Sequence, residues 1–197
     1  MRRLLNDLIE VLTLKGSKIR SLMLSPLSDS EMIDIEKQLG GGVAPDLRDF
    51  WVLLGRGFEK NSGRHVDTQL IPDFVPFTCQ GAILMRNHYR RSDVLGADLL
   101  KGLKLKVDIV PVMSNGPDFI SCFSSQVDQG LLVKVNAFGY PSELWGSLED
   151  LLRYSLRCWE QGVFWIDQDN DEIKTKWEEA ATIKRSEFNV LEIGGRN

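Results

Sequence analysis

Histidine occurs twice in the 197 residues and cysteine three times, and this scarcity excludes several kinds of chemistry at once. Cys79, Cys122 and Cys158 are odd in number and far apart, which fits reduced thiols rather than a disulfide framework or a closed zinc site. His65 and His88 lack the i, i+4 spacing of helical metal ligands. No local signature around Cys79 supports pairing it with His65 as a nucleophile, and Ser114 lacks the Gly-x-Ser-x-Gly elbow that exposes a catalytic serine. No stretch approaches the ~20 uninterrupted apolar residues of a membrane span. Asp7 and Glu10 interrupt the apolar run after Arg2 and Arg3 that a signal peptide would need. Nor does a Pro/Gly/Ser-rich linker or a block of like charge divide the chain. These absences predict a cytoplasmic protein of one domain over residues 1–197, with residues 1–26 as an N-terminal helical extension.

What is present is ordinary globular composition: 43% hydrophobic and 26% charged residues, enough to build a substantial core. The formal charge of -4 disfavours non-specific nucleic-acid binding and suits a basic partner. Leu4, Leu5, Leu8, Ile9 and Leu12 recur at helical spacing, predicting an amphipathic helix over about 3–14 that ends near Gly16. Ser28 and Glu31 form a capping box, in which hydroxyl and carboxylate each satisfy a backbone N–H that a helix leaves orphaned. Met32, Ile33, Ile35 and Leu39 are the expected buried side of that helix, and Gly40, Gly41 and Gly42 its end. A phosphate-cradling role for these glycines lacks the following Lys-Ser/Thr and a preceding strand. Pro45 stands at a first helical position, followed by Leu47, Phe50, Trp51 and Leu54 on one face until Gly55 and Gly57.

The middle of the chain reads as strands at Thr68–Ile71, Ala82–Met85, Val107–Val112, Phe119–Phe123 and Leu131–Val135. Asn115, Gly116 and Pro117 mark a tight connection that favours antiparallel pairing, and a second turn is expected at Asp128–Gly130. Ser147 with Asp150 opens a helix buried along Leu148, Leu151, Leu152, Leu156 and Trp159. After Gly162 come a strand, a polar turn and a last helix through Trp177, Ala180, Ala181 and Ile183. The expected class is therefore α+β, a mostly antiparallel central sheet with helices at the N- and C-terminal ends.

The run Leu27-Ser28-x-x-Glu31, Glu36, Leu39-Gly40, Pro45-Asp46-Leu47-Arg48-x-Phe50 and Leu54-Gly55-x-Gly57 resembles the opening signature of the SUKH superfamily. That group includes fungal cell-wall synthesis regulators and bacterial toxin-immunity proteins. Ile109-Val110-Pro111-Val112 with Asn115-Gly116-x-Asp118 resembles its central hairpin, Ser147 to Leu152 its Ser-Phe-x-x-Phe-Leu helix start, and Asp167 to Asp171 its C-terminal polar turn. The likeness spans roughly residues 27–187. The chain departs from the pattern in its three-glycine loop, in Trp51, and in Gly55-Arg56-Gly57 where Asn-Gly-Gly is common. The resemblance implies a SUKH-like fold and a non-enzymatic immunity protein, or antitoxin, acting through protein binding to a cognate toxin and using no cofactor. A regulatory scaffold like the fungal proteins and a small-ligand-binding domain are the alternatives.

Candidate sites are few. Asp167, Asp169, Asp171 and Glu178 match positions 1, 3, 5 and 12 of a calcium loop, but Glu172 replaces the obligatory glycine and Lys174 the usual apolar residue, so a solvated turn is expected instead. Arg86, His88, Tyr89, Arg90 and Arg91, with Lys101, Lys104 and Lys106, form a basic, partly aromatic stretch without a recognisable nucleic-acid module. The C-terminal third is acidic, and Glu160, Asp167, Asp169, Asp171 and Glu172 are the expected partner-binding residues, suited to a basic toxin such as a nuclease. Tyr140, Trp145, Trp159 and Trp165 would anchor such an interface where exposed.

Overall fold

The computed structural model describes residues 1–59, 64–91, 109–116, 118–123, 130–135 and 141–193. Helices α1 (Arg2–Leu14), α2 (Ile19–Leu22), α3 (Asp29–Gln38) and α4 (Pro45–Leu54) come first, then a 3-10 turn at His65–Thr68, strand β1 (Val75–Pro76) and helix α5 (Cys79–Arg91). Strands β2 (Ile109–Asn115), β3 (Asp118–Phe123), β4 (Leu132–Val135) and β5 (Pro141–Trp145) follow as an antiparallel meander. Helix α6 (Leu148–Glu160), the hairpin β6 (Phe164–Asp167) and β7 (Glu172–Thr175), helix α7 (Trp177–Glu187) and strand β8 (Val190–Glu192) complete the chain. The sheet order is β1-β2-β3-β4-β5-β8, every pair antiparallel, and β6-β7 stands apart as a two-stranded ribbon. The architecture is α+β.

One face of the sheet carries Val110, Cys122, Leu132 and Trp145 in a single register row, and these join the helices in the main core. Helix α1 belongs to that core: Leu5, Leu8 and Leu12 have no exposed surface, and the helix packs along α6. The other face carries a smaller cluster of Ile109, Phe119, Val133 and Val135. Pro111 is tolerated inside β2 because the register slips between Pro111 and Met113, where Val112 is the extra residue. The Val112 carbonyl accepts the Phe77 N–H at 2.8 Å.

Most local expectations are met. The Ser28/Glu31 capping box forms, Pro45 opens α4, and the four expected core residues of that helix are buried. Ser147 accepts the Asp150 N–H as the cap of α6. Asn115 pairs with Asp118 across the tight turn, where Gly116 takes φ 56°. The turn expected at Asp128–Gly130 lies outside the described residues except for Gly130.

Three expectations are corrected. Ala82–Met85 is helical: Cys79, Ala82, Ile83 and Arg86 are buried at i, i+3, i+4 and i+7 of α5, and the arginine in that stripe hid its period. Thr68–Ile71 is no strand, because the Leu70 carbonyl accepts hydrogen bonds from the Ser155 hydroxyl (2.6 Å) and the Trp159 indole (3.3 Å) on α6 instead of from a neighbouring strand. Ile33 is 47% exposed, leaving Met32, Ile35 and Leu39 as the buried side of the α3 segment. The strand, polar turn and last helix expected after Gly162 do form, with a second strand, β7, between turn and helix, and Trp177 at the start of that helix is 72% exposed.

Candidate functional site

The hairpin β6-β7 is aimed outward by strand alternation: Phe164 and Ile166 are buried while Trp165 between them is 40% exposed. Its tip holds four of the five expected partner-binding acids, and three of these have work inside the protein. Asp167 accepts the Asp169 and Asn170 N–H groups (3.1 and 3.2 Å) and the Asn170 amide (2.8 Å), fixing the turn. Those bonds, the Asn170 side chain foremost, hold its carboxyl below the ordinary value. Asp171, at φ 57°, pairs with Arg64 at 3.2 Å, and Glu172 pairs with Lys174. Asp169 on the tip and Glu160 on the last turn of α6 are exposed, without an ion pair among the described residues. The local structure is a β-hairpin turn leading to a separate helix that carries Glu178. Among the described residues no three of His, Cys, Asp and Glu converge to hold a metal ion.

Arg64 anchors the hairpin to the body. Its guanidinium donates to Asp67 (3.2 Å), to Gln168 at the hairpin tip (2.6 Å) and to the Gly16 carbonyl after α1 (3.1 Å). Asp67 has no exposed surface and also accepts the Lys18 N–H at 2.7 Å. Burial alone would push the Asp67 carboxyl up, but the Arg64 side chain and the Lys18 and Arg64 N–H groups draw it down overall.

Beside the hairpin, a cleft of about 300 Å³ opens between α7 and the end of the sheet. Trp145, Tyr154, Phe164 and the exposed Trp177 form much of its lining. Trp145 and Tyr154 stack at a tilt with ring centroids 5.3 Å apart, and burial pushes the Tyr154 hydroxyl pKa up. Register explains the polar groups here. Continuing outward from the core row Val110, Cys122, Leu132, Trp145, the next row on the same face is Met113, Ile120, Lys134, Glu143, and the next is Asn115 with Asp118. Glu143 accepts from Lys184 (3.1 Å) and from the Trp145 indole (3.1 Å), while the Lys134 ammonium lies 5.4 Å from the Phe74 ring centre. Local sequence patterns do not reveal this cleft, because its lining is drawn from separate segments spread between Ile71 and Lys184; the polar residues Lys134 and Glu143 in otherwise apolar strands were the available signal.

Arg86 is buried and donates to the Leu39 carbonyl at 2.7 Å, beyond the end of α3. Tyr89, Arg90 and Arg91 continue α5, and Lys101, Lys104 and Lys106 lie outside the described residues, as does Tyr140. His65 hydrogen-bonds Gln69 through Nδ1, and His88 is exposed elsewhere on α5. Trp145 and Trp159 are core residues. All three thiols are buried and free; burial raises Cys79 to about 12 and Cys158 to about 11, and pushes Cys122 up as well. Among the described residues no helix is long and apolar enough to cross a membrane. Comparison of the chain with protein-family models and with curated proteins found no match.

Proposed function

We propose that the chain is a non-enzymatic, SUKH-type immunity protein that acts in the cytoplasm, binding a cognate toxin and occluding its working surface. The observation that carries this reading is the pair of exposed tryptophans at the base of the hairpin whose tip is acidic: Trp165, opposite Lys174, and Trp177, two residues past the end of β7. Exposed tryptophan is a characteristic anchor of protein interfaces, since its large apolar area is removed from water on docking. The neighbouring acids steer a basic partner towards those anchors and add less to its final affinity. Asp167 and Asp171 hold the turn and its orientation, so Asp169, Glu160 and the tryptophans are the groups free to meet the partner. A nuclease, whose groove attracts phosphates, has the complementary charge. The antiparallel α+β architecture and the residues resembling the SUKH signature support the same reading.

The test is co-expression of this chain with the products of its neighbouring genes, in search of a toxin that it neutralises. Growth should be rescued and the two proteins should co-purify, while a Trp165→Ala, Trp177→Ala double variant should lose at least about 2 kcal/mol of binding with its fold intact. Persistent toxicity with no complex would overturn the proposal.

A further inference from the structure

The cleft between α7 and the sheet is built asymmetrically. At its inner end Lys184 is shared between Glu143 (3.1 Å) and Glu192 (3.3 Å), while the Lys134 ammonium lies over the ring of Phe74, next to Asp73, without an ion pair among the described residues, so that Asp73, Asp118 and Lys134 together leave one net negative charge. At the outer end, Asp73 and Asp118 line the same cleft, and neither carboxylate has an ion pair among the described residues. Strand pairing brings these two acids to one end of the sheet. Val75 is opposite Ser114 and Asn115 is opposite Asp118, so Asp73, two residues before Val75, lies where β1 runs out beside the β2-β3 turn.

Asp73 is also held in an uncommon conformation. Its φ is 70°, a left-handed geometry that aspartate tolerates better than most residues. The buried Gln69 side chain accepts the Asp73 N–H at 2.9 Å and is itself hydrogen-bonded to His65 at 2.6 Å. The positive φ is what the turn Ile71-Pro72-Asp73-Phe74, closed by the Phe74 N–H to the Ile71 carbonyl at 3.0 Å, requires at its third residue, and the turn fixes where the Asp73 carboxylate stands. Trp177 contributes a large, solvent-accessible aromatic ring to the same cleft.

We propose that this cleft is an arginine pocket, in which a guanidinium from a basic protein partner packs beside Trp177 and pairs with Asp73 and Asp118. Arginine is favoured over lysine because a planar guanidinium can stack on an aromatic face while its N–H fork reaches carboxylates, whereas an ammonium is a compact, strongly hydrated charge. The inference rests on the protein-binding reading and deepens it by naming the side chain the partner presents.

N-acetyl-argininamide provides a probe that requires no partner. Titrated into the isotope-labelled full chain, it should shift the Trp177 indole N–H and the Asp73 and Asp118 backbone signals saturably, with a dissociation constant on the order of millimolar for so small a ligand. N-acetyl-citrullinamide, nearly the same shape without the charge, should bind at least ~10-fold more weakly, as should the argininamide to a Trp177→Ala variant and to an Asp73→Asn, Asp118→Asn double variant. Asparagine is chosen because it also tolerates the left-handed backbone at position 73; unchanged spectral dispersion verifies folding. No saturable shift up to about 100 mM, or equal responses to the two amides, overturns the pocket. If a toxin is neutralised although the probe fails, the pocket falls and the binding function stands; if the probe binds but no partner protein is found, the reverse holds.

Discussion

Asp67 illustrates how much one residue's environment can add to its identity. In the sequence it is one acid among 28; in the structure it is fully buried, bonded to Arg64 and Lys18, and thereby tied to the end of α1 and the acidic hairpin. Its folded pKa lies below the unfolded value near ~4, so its stabilising contribution is complete above about pH 4 and is lost as pH falls through the folded value. The Asp67→Asn variant should be less stable at neutral pH by about 3 kcal/mol, and its melting temperature should fall less steeply on acidification than that of the native chain. Thermal melts from pH 7 to pH 2.5 would check both. The cysteines call for a simpler measurement. With their thiols buried and their pKa values raised, Cys79, Cys122 and Cys158 should resist a thiol reagent at about pH 8 and react together once the chain is unfolded.

At the scale of elements, the helices were most legible where a terminal signal and an apolar stripe agreed: Gly16 after α1, Pro45 opening α4 and the Ser147 cap of α6. The α3 cap is a direct test of local chemistry: Ser28→Ala should cost about 1 kcal/mol, seen as a lower denaturation midpoint with an unchanged slope. Gly55 shows where local reasoning stopped short. It ends α4 as expected, but at φ -67° it has no conformational need for glycine; a Cβ there would collide with the Trp51 carbonyl and lie 2.6 Å from the Cys79 sulfur. Close packing of α4, α5 and Leu27 demands it, and packing between distant segments is not written in a local pattern. Strands β1 and β8 were missed because two or three residues leave too little period to detect, and β5 because it opens on Pro141, Ser142 and Glu143 with no apolar alternation.

Across the whole molecule, α1 and the sheet share one core, so the N-terminal helix should not fray independently. Replacing its fully buried Leu8 by alanine should cost about 3 kcal/mol. The loss should move one cooperative transition, with far-UV dichroism and tryptophan fluorescence changing together; separated transitions would show that α1 is a detachable element. The candidate site depends on the same scale. The acidity of residues 160–172 was readable directly, yet which acids are free was not, because Arg64 and Lys174 reach Asp171 and Glu172 only in the folded hairpin.

The sequence alone determined the α+β class, most helices and the β2-β3-β4 part of the meander, because caps, glycine stops and apolar periodicity act over a few residues. Only tertiary structure decided that Ala82–Met85 is helical with Arg86 buried in its apolar stripe, that the Leu70 carbonyl bonds to α6, and that Asp73, Asp118 and Trp177 line one cleft. Those outcomes depend on register and on contacts between segments far apart in the chain, where the choice of hydrogen-bond partner and the space left for a side chain are set by the packed whole.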